Sequence, residues 1–202
     1  MQLYLDGMIY PDRLRLSIAF DPALLLRDLE ALKAKAWTAH FVPEHYDGDW
    51  AAIPLRSSAS ARHPIQMIYS DPVATAFVDT PFLDACPYFQ SLIRSFDCDV
   101  RCVRLMRLTP GSVIKEHTDF DLDAEHGMVR IHIPITTNPQ VVFELNRIAV
   151  AMAPGEAWYL RLADPHRVVN GGASDRVHLV MDAVVNDWMT DLLEQARALQ
   201  PA

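Results

Sequence analysis

From Val100 to Val185 the chain consists of short runs in which apolar and polar side chains alternate, each run closed by turn residues. A period of two belongs to strands, whose successive side chains point to opposite faces. Residues 100–108 alternate apolar with charged side chains, and Thr109-Pro110-Gly111-Ser112 ends that run in a turn. Residues 128–135 alternate strictly, and residues 141–144 and 148–152 flank Asn146-Arg147 as a hairpin tip. Pro154-Gly155-Glu156 turns into Trp158-Tyr159-Leu160, and a last strand starts at Arg176 after the loop Asn170-Gly171-Gly172. About seven or eight short strands with turns between them predict a mainly β sandwich or jelly roll.

Ahead of this region the pattern is mixed. Asp21-Pro22 opens a helix through Leu25, Leu29, Leu32 and Ala36, with Asp21 as cap and Pro22 in the first helical position. Residues 50–56 read as a strand and residues 57–60 as a loop, while Thr80-Pro81 opens a second helix reaching Phe96. Residues 188–199 have the apolar spacing of a terminal helix. A chain of 202 residues suits one domain. The expected division is a mixed flank over 1–99 packing on a β core over 100–185, followed by a C-terminal helix over 186–202.

Half of the residues are apolar, enough for a sizeable core without disulfide staples. A net charge of -8 and the lack of a long basic run argue against a nucleic-acid partner. Cys86, Cys98 and Cys102 form no CxxC pair and are odd in number, which fits a reducing compartment, although Cys98 and Cys102 are near enough to approach each other. Residues 1–7 lack the basic-then-apolar order of a signal peptide, and no stretch of about eighteen uncharged apolar residues is present. The expected setting is cytoplasmic, with a small-molecule or peptide substrate and no membrane partner. Nothing in the sequence fixes an oligomeric state.

Within the β region stand His117-Thr118-Asp119 and, after a strand and an Asp164-Pro165 turn, His166. Two imidazoles and one carboxylate can occupy one face of a metal ion and leave the opposite face open, the arrangement of non-haem Fe(II) oxygenases. A His-x-Asp pair alone is weak, since polar residues at strand ends are usually just solvated. Arg176 adds to it. A buried guanidinium fork would grip the far carboxylate of a keto-diacid such as 2-oxoglutarate, whereas an Arg in an alternating strand more commonly faces solvent. The alternation after Arg176 leaves its facing open. Arg130 and His132 share one strand face, either as pocket donors for a carboxylate or as the wet face of an edge strand. Arg56, Arg104 and Trp50 are the candidate substrate contacts. Alternation sets Arg104 with Met106 and turns Arg107 the other way, an outward surface position being the commoner one for each Arg, and Trp50 is more often a core anchor than a stacking platform. Asp121, Asp123 and Glu125 read as a solvated acidic loop or a lid facing a substrate amine.

Taken together, His117-Thr118-Asp119, Arg130-Ile131-His132-Ile133-Pro134-Ile135, Pro154-Gly155-Glu156-Ala157-Trp158, His166-Arg167-Val168-Val169-Asn170 and the strand from Arg176 to Asp182 resemble the aspartyl/asparaginyl β-hydroxylase family, including bacterial members similar to L-proline cis-4-hydroxylase. The resemblance covers residues from about Val100 to Asp182, and more loosely residues 50–56. It implies a double-stranded β-helix (a cupin-like jelly roll) with flanking helices and an oxygenase that uses Fe(II), O2 and 2-oxoglutarate as cosubstrate. By motif, His117, Asp119 and His166 match the metal ligands, Arg176 the cosubstrate arginine, and Arg130 and His132 the Arg-x-His that contacts 2-oxoglutarate. Animal members resemble this chain but carry Gly where Asp119 stands, have a shorter loop before Arg130 and a small polar residue where Met106 stands. Their peptide specificity therefore does not transfer. The implied activity is hydroxylation of an amino acid or amino-acid-derived substrate, free, carrier-bound or within a peptide. The alternatives are a cupin-like dioxygenase or hydrolase that uses the metal without 2-oxoglutarate, and a non-catalytic β-sandwich binding module.

Overall fold

The computed structural model describes residues 10–32 and 37–200, so the readings made on residues 1–7 and on Ala36 lie outside the described residues. In chain order the elements are β1 (Arg13–Ala19), α1 (Pro22–Leu32), β2 (Thr38–Ala39), β3 (Tyr46–Asp47), β4 (Trp50–Ser58), α2 (Pro64–Ile68), β5 (Phe77–Asp79), α3 (Pro87–Arg94), β6 (Val100–Leu108), β7 (Val113–His117), β8 (Met128–Thr136), β9 (Val141–Leu145), β10 (Ile148–Ala149), β11 (Glu156–Leu160), β12 (His166–Asn170), β13 (Arg176–Val184) and α4 (Asp187–Leu199). A major sheet runs β1-β11-β8-β13-β6-β4-β2 with β5 added on β4, and a minor sheet runs β10-β9-β12-β7-β3. The two antiparallel sheets form a double-stranded β-helix with flanking helices. Among the described residues, no helix is long and apolar enough to cross a membrane.

Strand alternation divides the apolar residues into two cores. Val103 and Leu105 of β6, Val129, Ile131 and Ile133 of β8, and Leu179 and Met181 of β13 share one cluster with Leu25 and Leu29 of α1, Phe89 and Leu92 of α3, and Met189 and Leu193 of α4. The other faces of the same strands supply Met106, Leu108 and Val180 to a second cluster, with Ile114, Phe143, Leu145 and Val168 of the minor sheet. Each fully buried Leu or Ile contributes about 1.5–3 kcal/mol of transfer free energy. The period of two therefore sends Arg104, Arg130, His132, Arg176, His178 and Asp182 to the interior between the sheets, while their sequence neighbours pack under the helices. This resolves the facing of Arg176, which is only 2% exposed.

Several local readings are corrected. β4 continues through Ser57 and Ser58, because both pair with β5 instead of forming a loop. The helix expected from Thr80 to Phe96 is interrupted: Thr80 Oγ1 donates to the Pro54 carbonyl at 2.6 Å, a short 3-10 turn covers Leu83–Ala85, and Pro87 opens α3. Proline fixes φ and lacks an N–H, so it suits the first turn and stops the preceding one from running on. β8 is not an edge strand but lies between β11 and β13. The major sheet is not built from residues 100–185 alone, since β1, β2, β4 and β5 belong to it. Cys86, Cys98 and Cys102 are all free thiols. Elsewhere the turn chemistry acts as expected. Asp21 Oδ1 accepts from the backbone N–H of Ala23 at 2.8 Å at the start of α1, and Asn146 and Arg147 take the positive φ values of 52° and 62° that turn β9 into β10. Gly155 (φ 85°) lies where a Cβ would come within 2.2 Å of the Phe20 carbonyl, so only glycine permits that approach of β11 to the end of β1.

Candidate metal centre and its cavity

His117 ends β7 and His166 begins β12, and the two are direct cross-strand partners in the minor sheet. Their rings lie 4.3 Å apart, centroid to centroid. Two residues beyond β7, Asp119 is held against the barrel by its backbone N–H, which donates to the Leu162 carbonyl at 2.8 Å. One ligand atom from each of His117, Asp119 and His166 falls within 4.8 Å of the others. His117 Nε2 stands 3.7 Å from Asp119 Oδ1.

The orientation of each imidazole has a cause. His117 Nδ1 bonds the Lys115 carbonyl at 2.8 Å, and His166 Nδ1 bonds the Asp164 carbonyl at 3.0 Å. A carbonyl only accepts, so each Nδ1 carries the proton and each Nε2 presents a lone pair. Burial pushes the His166 pKa down to about 4, helped by the neighbouring His117, which keeps the ring neutral. Burial pushes Asp119 upward, but Arg130, His166 and His117 outweigh it and hold the carboxylate below its ordinary value. Two neutral imidazoles and an ionised carboxylate are the protonation states a divalent metal requires.

These groups open on a cavity of about 570 Å³, whose apolar wall includes Trp50, Met106, Phe143 and Val168. Arg176 and His132 also line it. Arg176 bonds His178 Nδ1 through Nη2 at 3.0 Å and lies 5.9 Å over the Phe143 ring, but its Nε is buried without a partner. Burial pushes its pKa down to about 9, and no carboxylate among the described residues offsets that. A buried guanidinium without a counter-ion is costly, so this position calls for an anion from outside. His132 Nε2 is likewise buried and unpartnered, and burial together with Arg176 holds that ring neutral.

Arg130 is differently placed from Arg176. Its Nε and Nη2 donate to Asp182 Oδ1 and Oδ2 at 2.6 and 3.0 Å, and its Nη1 donates to Asp119 Oδ2 at 2.5 Å. Three of its five N–H groups are therefore committed to carboxylates of the chain itself. Arg104, 5% exposed, faces the cavity rather than solvent and donates to Asp182 at 2.9 Å and to the Ile68 carbonyl at 2.7 Å. Trp50 lines the cavity with its ring stacked 3.5 Å from His40. Arg56 does not reach it. It bonds Asp79 and the Val100 carbonyl outside the cavity, because it follows the register shift between β4 and β6. Arg107 turns outward onto the Trp37 ring and Asp49. Asp123 caps a 3-10 turn and Glu125 pairs with Arg161, so of the acidic run only Asp121 lines the cavity.

The sequence reading missed His40, His45, His126 and the segment from Tyr69 to Asp71, all of which line the cavity. The signal available was local: His63 and Gln66 form a capping box that starts α2 and delivers that segment to the mouth. His178 and Asp182 were legible as polar residues in an apolar strand, although their partners were not.

The model of the family described as aspartyl/asparaginyl β-hydroxylase matches residues 24–185. L-proline cis-3-hydroxylase 1 of Streptomyces sp is 27% identical over 172 residues, which cover 82% of this chain and 57% of that protein. L-proline cis-3-hydroxylase 2 of Streptomyces sp is 25% identical over 168 residues, with the same coverage of 82% and 57%. The chain thus spans little more than half the length of these relatives, and their names carry the 3-position where the sequence resemblance suggested the 4-position. A Pseudomonas putida prolyl-4-hydroxylase shares the fold at a TM-score of 0.52 and 11% identity, over 87% of this chain and 93% of that one. The chain belongs to the aspartyl/asparaginyl β-hydroxylase family.

Proposed function

We propose that this chain is an Fe(II)- and 2-oxoglutarate-dependent hydroxylase of an amino acid or amino-acid-derived substrate. One observation carries the reading: the cavity onto which the His117, Asp119 and His166 ligand atoms converge is also lined by Arg176, a buried cation with no anionic partner among the described residues. The 2-oxo acid cosubstrate brings the carboxylate that this guanidinium lacks, whereas hydrolysis or cosubstrate-independent dioxygenation does not by itself require one. The proposal treats residues 1–202 as one oxygenase domain, supported by the strands that both halves of the chain contribute to one sheet.

In this reading His117, Asp119 and His166 hold Fe(II), which with O2 and 2-oxoglutarate supplies the oxidising power to place a hydroxyl on an unactivated C–H bond, with succinate and CO2 as coproducts. Arg176 grips the far carboxylate of the cosubstrate through Nε and the free N–H groups of its fork. His132 presents its unpartnered Nε2, and Arg130, which also lines the cavity, keeps two N–H groups uncommitted to carboxylates for the same ligand. Trp50, Met106 and Phe143 exclude water from the reacting end. For the substrate, Arg104 with its unpartnered Nε suits a carboxylate, while Asp121 and Asp71 on the cavity lining suit an amine. The Streptomyces relatives' names make free L-proline the first substrate to try.

The test is cosubstrate turnover. Purified chain with Fe(II), O2 and 2-oxoglutarate should form succinate faster when L-proline or another free amino acid is added, with one hydroxylated product per succinate. Substrate hydroxylation that proceeds at full rate without 2-oxoglutarate refutes the proposal.

A further inference from the structure

Asp182 lies within β13 with 0% exposure and does not line the cavity, so no substrate or metal can touch it. It nevertheless accepts three hydrogen bonds from two guanidinium groups, Arg130 Nε at 2.6 Å, Arg130 Nη2 at 3.0 Å and Arg104 Nη2 at 2.9 Å. Arg130 carries the contact onward, donating from Nη1 to Asp119 Oδ2 at 2.5 Å, while Asp119 Oδ1 is the oxygen near His117 Nε2.

We propose that Asp182 is a positioning residue for the metal centre: its two-point grip on Arg130 aims one N–H at Asp119 Oδ2 and leaves Oδ1 to the metal. The proposal rests on the metal-site reading above but not on the cosubstrate or the reaction.

The physical need is specific. His117 and His166 sit on paired strands and have their rings tied to backbone carbonyls. Asp119 lies past the end of β7, in a loop where Asp121 takes a φ of 56°. A carboxylate there has two rotatable bonds and no strand to hold it. A guanidinium bound at one point would pivot, whereas two parallel bonds to one carboxylate fix its plane. β8 and β13 are adjacent with Arg130 and Asp182 as direct partners, so the fork is set by sheet register. The far side is also tied. Arg104 links Asp182 to the Ile68 carbonyl at 2.7 Å, anchoring the end of α2 from which the cavity-lining segment Tyr69–Asp71 departs. Two cations and two carboxylates balance within the network. Removing the Asp182 charge takes away the two-point grip, and Arg130 is then free to pivot about its single bond to Asp119.

The experiment uses Co(II) as the metal probe on the full chain, read by calorimetric titration and by the visible ligand-field spectrum. The variants are Asp182→Asn, Arg130→Gln and the double variant, with circular dichroism to confirm folding. Asp182→Asn should weaken Co(II) binding by about tenfold to a hundredfold, as outer partners of metal ligands do, and should change the band shape. Because Asp182 acts through Arg130, the double variant should bind no more than about threefold more weakly than Arg130→Gln alone. A merely structural Asp182 would lower the melting temperature while the folded variant kept its Co(II) affinity and spectrum, and that result overturns the proposal. Losses that multiply in the double variant overturn it too. If Asp182→Asn does not fold, Arg130→Gln decides alone, and affinity within about threefold of the unmodified chain refutes the idea. Failure of the unmodified chain to take up Co(II) refutes the metal-site reading itself.

Discussion

Replacing Arg176 by Met should make the ligand-free protein more stable while destroying its hold on 2-oxoglutarate. Arg176 is 2% exposed, meets no carboxylate among the described residues, and has its pKa displaced from 12.5 to about 9 by burial. At about 1.36 kcal/mol per pH unit, that displacement sets roughly 4–5 kcal/mol against the charged form. The bond to His178 Nδ1 and the Phe143 ring offset a part, and Met keeps much of the apolar stem. The expected outcome is a gain of roughly 1–3 kcal/mol in urea unfolding of the free protein, within the range seen when buried charges give way to apolar residues. Binding moves the opposite way. Losing one partner of a buried charge pair costs roughly 2–5 kcal/mol, so 2-oxoglutarate affinity should fall by about two orders of magnitude. The assay pairs urea denaturation without ligand with anaerobic calorimetry of 2-oxoglutarate binding to the metal-loaded chain. A variant that binds 2-oxoglutarate within about threefold of the parent refutes the reasoning, whatever its stability.

Three other outcomes follow from the same structure. His117→Ala and Asp119→Ala should each abolish metal uptake and turnover, read by metal analysis of the dialysed protein and by succinate formation. The metal-free protein should lose stability as pH falls from about 6.5 toward 4: His166, buried with a pKa near 4, binds fewer protons folded than unfolded across that window, and buried His132 and His178 shift the same way, so stability rises with pH. Melting temperatures at pH 7, 6 and 5 check this, and a flat or rising trend toward acid contradicts it. Leu179→Ala, at a 0% exposed position in the core beneath the helices, should cost about 2–5 kcal/mol in urea unfolding without changing metal affinity.

Much of the fold was legible because alternation and turn chemistry are local. The runs around Val103, Ile131 and Leu179 carry a period of two, and Asn146-Arg147 and Pro154-Gly155 mark turns. What stayed hidden depends on pairing across the chain. Arg104 and Asp182 are 78 residues apart in sequence, and no pattern in either strand says that they meet. Arg176 read as ambiguous because alternation gives two faces and not which of them is inside. Here both faces are covered, one by helices and one by the second sheet. The cavity lining from Tyr69 to Asp71 escaped notice because α2 has only five residues, too few for a periodic signal. Arg56 and Arg104 looked alike as charged strand residues, and only the shift in register between β4 and β6 separates the one at the surface from the one in the cavity.

The central claim is that one chain binds Fe(II) through His117, Asp119 and His166 and binds 2-oxoglutarate beside it through Arg176. Anaerobic addition of Fe(II) and then 2-oxoglutarate to the metal-free protein, followed by visible absorption, tests both halves at once. A charge-transfer band is expected that needs both additions, saturates at one iron per chain, and is absent in Asp119→Ala and in Arg176→Met at the same ligand concentration. No band in the unmodified chain, or an undiminished band in either variant, contradicts it.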